Sequence, residues 1–312
     1  MAGKVRAVAG TIDARRAMVI HAGHILSHPS QWGGDTSSAV SLVALAGVYA
    51  LGTRRVWSHA GQGRGVRRRD IASFIGALAA LSLAMLSPID ALSGVLFSAH
   101  MTQHVLLAVV APPLLVLGAP AVALLWALPA SARPTVVRTL RHPGIASVWR
   151  AISNPFVACA VHAGALWVWH APRLYVSALD DGFVHALEHA SFVATAGLLW
   201  WSILHARQPR RAAYAAGILV LFLTALQSAA LGALLTFSGA PWFPAQDIGA
   251  VSFGLTPLQD QQLAGLIMWV PGGLLYTAAM GILFAGWMRQ LDRASPSRTM
   301  VASRSLLSGT SS

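Results

Sequence analysis

The chain has 312 residues, of which 55% are hydrophobic and only 10% are charged, and its mean hydropathy is +0.61. Soluble domains usually carry about 25% charged residues, so this composition excludes an ordinary soluble protein and indicates an integral membrane protein in contact with a lipid bilayer. The formal net charge of +12 would favour nucleic acid as the partner of a soluble chain. Here the cations flank apolar segments, so no nucleic-acid partner is expected.

Seven apolar segments are each long enough to cross the hydrocarbon core of a bilayer as a helix, which takes about 20 residues. They cover residues 36–53, 71–87, 95–118, 155–171, 183–204, 213–238 and 262–288. We therefore predict an all-α polytopic membrane protein whose membrane domain, residues 36–290, is a bundle of seven transmembrane helices. Residues 1–35 form a polar N-terminal arm in this scheme, and residues 291–312 form a disordered cytoplasmic tail because they lack apolar content.

The basic residues alternate between the connecting segments. The segments that follow spans one, three, five and seven carry 17 arginines, whereas the three intervening connections carry only Arg173. Cytoplasmic loops of membrane proteins are enriched in Lys and Arg. This asymmetry predicts that the N-terminus lies outside and the C-terminus lies in the cytoplasm.

Two pairs of histidines have the spacing of one helical turn inside predicted spans. The sequence HMTQH contains His100 and His104, and the sequence HALEH contains His185 and His189. Residues four apart lie on the same face of a helix, so each pair should present two imidazoles to one neighbour.

The predicted topology brings two further polar residues to the depth of these pairs. Spans three, five and seven enter from outside and span four leaves there, which places His170 and Asp260 near the same boundary. At a rise of 1.5 Å per residue, all of these residues lie within roughly 15 Å of the outer surface. Five imidazoles from three helices should therefore share one layer.

Ionisable residues inside a membrane are costly and usually face a partner or a cavity. Two histidine pairs offer four nitrogen donors, Met101 adds a thioether at the edge of the same face, and the lone Cys159 rules out any paired-cysteine motif. This donor set suits copper, or less selectively zinc or iron. Two other interpretations remain open, namely histidines that hydrogen-bond around a water-filled pocket and histidines that ligate haem.

Three neighbouring features have less specific interpretations. Glu188 could orient an imidazole or contribute to the site directly, or it could simply pair with another polar group. Asp260 could be the N-cap of the last helix, or an additional ligand or a partner of one. The arm histidines, His21, His24 and His28, could capture metal loosely, or they could belong to an unstructured segment.

Four motifs occur in the order HMTQHVLLAVVAPPLLVLGAP, WVWHAPRLYVSAL, HALEHASFVATAGLLWW and DQQLAGLIMWVPGG. They resemble those of the multi-spanning CtaG family of bacterial cytochrome c oxidase assembly factors, which is distinct from the single-span copper chaperone of the same name. The resemblance covers residues 70–290. It implies a seven-helix, multi-pass protein of the bacterial plasma membrane that assists the formation of a haem–copper oxidase. It also implies that the family's polar positions correspond to His100, His104, His170, His185, His189 and Asp260.

We predict an assembly factor that binds copper in the outer half of the bundle and delivers it to an oxidase subunit. A site of neutral imidazoles and a thioether binds copper less tightly than a thiolate cage and so suits release. The alternative is a membrane redox protein that uses haem b or quinol. A permease fits less well, because the inner halves of the spans are largely apolar. No arrangement of nucleophile and base typical of hydrolysis is evident, so an enzyme is not expected.

Overall fold

The computed structural model describes residues 36–206, 210–243, 250–251 and 253–294. No strand occurs in these residues, which form an all-helical membrane domain. The predicted tail beyond residue 294 and the predicted arm, with its three histidines, lie outside the described residues. In chain order the helices are α1 (Thr36–Ala60), α2 (Arg68–Met85), α3 (Pro88–Ser93), α4 (Phe97–Val105), α5 (Ala111–Leu117), α6 (Pro120–Ala127), α7 (Arg133–Leu140), α8 (Pro143–Ile152), α9 (Pro155–Trp169), α10 (Pro172–Asp180), α11 (Gly182–Leu204), α12 (Arg210–Thr236) and α13 (Pro257–Ala294).

Among the described residues, four helical segments are long and apolar enough to cross a membrane: α1, the α4–α5 segment, α12 and α13. Helices α8 and α9 provide a fifth if this pair, bent by 69°, is one span. Two other predicted spans are less apolar, because α2 begins with three charged residues and α11 carries His185, Glu188 and His189. The apolar helices indicate a membrane protein, while the count of seven spans and the orientation of the termini stay predictions.

The third predicted span is one continuous helical segment with a wider turn in its middle. A π-helical turn, Leu106–Val110, joins α4 to α5, and the Ala111 N–H donates to the Leu106 carbonyl five residues earlier. Pro112 and Pro113 follow at once and have no backbone N–H to donate. Helix α4, which carries the first histidine pair, therefore ends at Val105. The π-helical turn separates it from the two prolines, which interrupt the backbone hydrogen bonds.

Helix α4 lies inside the bundle, and α11 buries one face against it while side chains such as Leu187 are exposed. Helix α4 packs against α3 and α13, while α11 packs against α5, α9 and α10. The largest core cluster fills the space around them with aromatic side chains, including Phe97, Tyr175, Phe192, Trp200 and Tyr276. The histidine pairs therefore lie on helix faces that are covered by neighbouring helices and by aromatic side chains.

Helices α12 and α13 make the most extensive helix contact in the described residues. They approach closely at Gly232 and Gly265, where a Cβ on Gly265 would lie 2.6 Å from the Gly232 carbonyl oxygen. A Cβ on Gly232 would lie 3.0 Å from the Gly265 carbonyl oxygen. Small residues of this kind let membrane helices approach backbone to backbone. The contact fixes α13, and with it Asp260, relative to the rest of the bundle.

Candidate metal centre

A carboxylate from a distant helix holds the N-terminus of α4. Asp260, in the first turn of α13, accepts a hydrogen bond from the Phe97 N–H at 2.7 Å and another from the Ser98 N–H at 3.1 Å. The first N–H groups of a helix have no partner within the helix, and a negative charge is favourable at this end. Asp260 is 2% exposed and thus caps α4, the helix that carries His100 and His104.

A glutamine fixes the other side of α4. Gln103 is fully buried, and its Nε2 donates to Asp90 Oδ1 at 2.7 Å and to the Ala84 carbonyl oxygen at 2.9 Å. These bonds tie α4 to α3 and to the end of α2. Sequence reasoning did not select Gln103 as a site residue, although an amide between two histidines in an apolar segment was the available signal. The two bonds restrain the rotation of α4 relative to α2 and α3.

Four imidazole rings from α4 and α11 form a compact group. Along each helix the ring centroids lie 4.2 Å apart for His100 and His104, and 4.1 Å apart for His185 and His189. Across the two helices they lie 5.7 Å apart for His100 and His185, and 5.8 Å apart for His104 and His189. Three of these residues are buried and His185 is partly exposed. The four rings therefore form a compact group in which each ring neighbours one on its own helix and one on the other helix.

Glu188 projects from α11 toward both histidines of α4. Its Oε1 lies 3.5 Å from His104 Nε2, and its Oε2 lies 3.9 Å from His100 Nε2. The residue is fully buried, and neither oxygen has a hydrogen-bond partner within the described residues. An unpaired buried polar group costs about 1–3 kcal/mol. A carboxylate and several imidazole nitrogens left unpaired at such distances form a donor set that fits a cation.

His170 and Met101 extend this group toward α9. The His170 Nδ1 lies 2.7 Å from the Leu166 carbonyl oxygen, which can only accept a hydrogen bond, so Nδ1 carries the proton. In the neutral ring, Nε2 is then an unprotonated nitrogen, and it faces the Met101 sulfur at 3.4 Å. The His170 ring is 5.9 Å from that of His104. An imidazole nitrogen and a thioether at this separation can share one soft metal ion.

Aromatic residues that sequence reasoning did not select shield the group from water. The Tyr175 ring is 5.0 Å from that of His100, and the Phe192 ring is 4.7 Å from that of His104. Both residues are fully buried. Buried aromatic residues are usual in membrane bundles, so their types and spacing gave no signal of this contact. They lower the local polarity around the imidazoles and strengthen any electrostatic interaction there.

A small cavity of about 20 Å³ lies beside the histidine group, which is room for about one water molecule. His162 of α9 is one of its lining residues, and its Nδ1 is 3.0 Å from Thr195 Oγ1. The other lining residues include Met101, His104, His170, Ser228, Met268 and Tyr276. His162 therefore belongs to a separate polar contact next to the group.

The structure brings most of the predicted site residues into one buried cluster. Two sets of three residues have donor atoms within 4.8 Å of one another and could each hold a metal ion: His100, His185 and Glu188, and His104, Glu188 and His189. His170 and Met101 adjoin the second set, while Asp260 lies at the N-terminus of α4. Their identity as metal ligands stays a prediction.

The model of the cytochrome c oxidase caa3 assembly factor family (Caa3_CtaG) matches residues 47–290. The chain belongs to this CtaG family. The resemblance drawn from four motifs is thereby confirmed, and the match extends it through α2 into α1. Every described residue of the histidine cluster lies within the matched range.

This CtaG-family chain is also similar to proteins of mycobacteria. It is 30% identical to Mb0105 of Mycobacterium bovis and to MT0111 of Mycobacterium tuberculosis, in each case over 236 residues, which are 70% of this chain and 34% of the relative. It is 26% identical to ML1998 of Mycobacterium leprae over 278 residues, 84% of this chain and 40% of the relative. The chain thus spans about a third of the length of the curated relatives that it matches first. No solved structure matches it.

Proposed function

We propose that this CtaG-family protein binds copper at the histidine cluster and delivers it to a cytochrome c oxidase subunit during assembly. The observation that supports the proposal most strongly is the convergence of two histidine pairs on the buried carboxylate of Glu188. Its oxygens lie 3.5 and 3.9 Å from Nε2 of His104 and His100, and His185 and His189 complete the two sets whose donor atoms lie within 4.8 Å of one another. Copper is the cargo in this scheme. The protein acts by binding and release and catalyses no reaction.

The donor chemistry favours a transferable copper ion. The cluster offers imidazole nitrogens and the Met101 thioether, which are suitable ligands for copper, and one carboxylate, whose oxygens are harder donors. The one cysteine, Cys159, is a free thiol whose sulfur lies near the Thr224 hydroxyl at 3.5 Å, away from the cluster contacts described above. A site without thiolate holds copper less tightly, so a receiving subunit with stronger ligands can remove the ion.

We place the cluster in the outer half of a seven-span bundle in the bacterial plasma membrane, with the N-terminus outside and the C-terminus in the cytoplasm. The 17-to-one distribution of basic residues between alternate connections supports this orientation. Apolar side chains at the bundle surface, such as Val43, Leu274 and Ile282 at 72%, 69% and 73% exposure, would face the lipid chains. Delivery would then take place at the outer surface.

The geometry gives less support to the haem alternative. A haem bound between two imidazoles needs room for its flat macrocycle. The ring centroids of the cluster are 4.1 to 5.9 Å apart between neighbours, and the adjoining cavity of about 20 Å³ holds about one water molecule. A bare metal ion fits this space. A Soret band in the purified protein would instead favour haem.

The test is metal analysis of the full chain purified in detergent and loaded with Cu(I). His100→Ala and His189→Ala should each lower the copper content, because each removes a nitrogen donor from a different helix. His162→Ala is the matched control, since it removes a buried histidine that contacts Thr195 outside the cluster. Unchanged copper content in both cluster variants would overturn the proposal.

A second experiment tests delivery. A strain that lacks the chain should accumulate haem–copper oxidase with less copper per complex, and the wild-type chain should restore it. The His100→Ala variant should be inserted into the membrane at a normal level and fail to restore it. Full oxidase copper in the strain with this variant would contradict a delivery role even if the purified chain binds copper.

A further inference from the structure

We propose that the cluster is a dinuclear site in which Glu188 bridges two metal ions. The inference rests on the proposed function, because it concerns the same residues, and it adds a second ion and a bridging role for the carboxylate. The first set of ligands is His100, His185 and Glu188 Oε2, and the second set is His104, His189 and Glu188 Oε1.

The arrangement of the rings supports two positions. Each set takes one histidine from α4 and one from α11, with ring centroids 5.7 Å apart in the first set and 5.8 Å apart in the second. The two sets are displaced from each other by one helical turn along both helices. Two equivalent pairs of nitrogen donors thus lie side by side, whereas a single ion would need all four imidazoles to converge on one point.

The Glu188 carboxylate divides its oxygens between the two sets. Oε1 lies 3.5 Å from His104 Nε2 and Oε2 lies 3.9 Å from His100 Nε2. Two ligands of one tetrahedral ion are separated by roughly 3.4 Å when each bond is about 2.1 Å. Each Glu188 oxygen therefore lies at about the ligand–ligand separation from the Nε2 atom of a different histidine. This is the arrangement of a carboxylate that bridges two ions.

The buried nitrogen and oxygen atoms that lack a hydrogen-bond partner also belong to both ligand sets. Within the described residues, the buried atoms of the two sets without a hydrogen-bond partner include Nε2 of all four histidines and both oxygens of Glu188, together with Nδ1 of His100 and His104. One ion in either set would leave two Nε2 nitrogens and one oxygen of the other set unpaired, which is unfavourable in a buried site. Two ions give each Nε2 nitrogen and each Glu188 oxygen a partner, and the bridging negative charge reduces the repulsion between the cations.

The two sets differ in exposure, which assigns them different roles. His185 is the partly exposed member of the first set, while His104 and His189 in the second are each 5% exposed. The second set also adjoins His170 and Met101, whose nitrogen and sulfur face each other at 3.4 Å. The first set is therefore the position at which an ion enters and leaves, and the second set holds its ion longer.

The experiment measures metal per chain in the full-length protein, in a background in which His21, His24 and His28 are changed to alanine so that the arm contributes no ligands. The chain is loaded with Cu(I) under reducing conditions, and in parallel with Zn(II), and is then desalted. Two ions per chain are expected. X-ray absorption of the loaded protein should show metal–metal scattering at about 3.5–4 Å, the usual spacing of two-metal sites.

Variants separate the two positions. His185→Ala and His189→Ala should each leave one ion per chain, and Glu188→Gln should leave one at most, because the amide keeps a single oxygen donor. His162→Ala should keep two ions. A wild-type content of one ion would overturn the dinuclear site and leave the proposed function standing. A content of zero would overturn both, and two ions retained in Glu188→Gln would overturn the bridge.

Discussion

Asp260 and Phe97 are 163 positions apart in the chain, yet the Asp260 carboxylate accepts a 2.7 Å hydrogen bond from the Phe97 backbone N–H. This bond joins α13 to the first residue of α4. The histidines on α4 can face those on α11 only if α4 keeps its position and rotation. The cap is therefore a long-range link that supports the histidine cluster while its own oxygens are bonded to backbone.

Asp260→Asn should weaken the site through this link. The amide has one acceptor oxygen and presents an N–H₂ group where the second backbone N–H needs an acceptor, so we expect a loss of about 1–2 kcal/mol in the free energy of unfolding. Copper retained after desalting should fall as α4 loses its fixed position. Thermal unfolding and metal analysis in detergent measure the two effects. Asp292→Asn, an exposed change on the same helix, is the control, and equal behaviour of the two variants would refute the capping role.

Met101→Leu should change the preference of the site for soft metals. Leucine keeps a similar apolar volume, so the bundle should fold normally, but the thioether that faces His170 Nε2 is lost. We expect the affinity for Cu(I) to fall by roughly tenfold or more, with little change for Zn(II), which depends less on thioether ligands. Competition with a chromophoric chelator measures both. Met85→Leu, in a separate apolar cluster, should leave both affinities unchanged. Equal losses for the two metals would contradict a ligand role for Met101.

Acidification should release the metal. Imidazole binds a metal ion through an unprotonated nitrogen, so protons compete with the ion and affinity decreases as the pH falls. Copper retention should therefore decline as the pH is lowered. Equilibrium dialysis at a series of pH values checks this direction. Retention that is constant through the pH series, with the protein folded, would argue that other donors hold the metal.

Gly265→Ala should destabilise the contact between α12 and α13. The added methyl group would lie 2.6 Å from the Gly232 carbonyl oxygen, which forces the helices apart at a cost of about 1–3 kcal/mol. Gly281→Ala is the control on the same helix, because a Cβ there meets no atom within 4 Å and alanine favours helix. Unfolding in a detergent titration compares the two. A stable Gly265→Ala variant would show that the helices can separate at low cost.

Local sequence patterns predicted the all-helical fold class and the pairing of the histidines along each helix. Apolar runs of about 20 residues give helices in a membrane because the backbone must satisfy its own hydrogen bonds there. The spacing of four residues put His100 beside His104, and His185 beside His189, since this follows from the helical repeat alone. The four motifs also identified the CtaG family, which the match over residues 47–290 confirmed.

Contacts between distant segments decided the rest. The sequence left open whether Glu188 pairs with an imidazole, and only the packing of α11 against its neighbours brings its two oxygens to His100 and His104. The same holds for Asp260, because a carboxylate in the first turn of one helix gives no sign that it caps another. Residue spacing fixes which side chains share a face of one helix. The rotation and depth of each helix depend on packing with all the others, and these decide which faces meet.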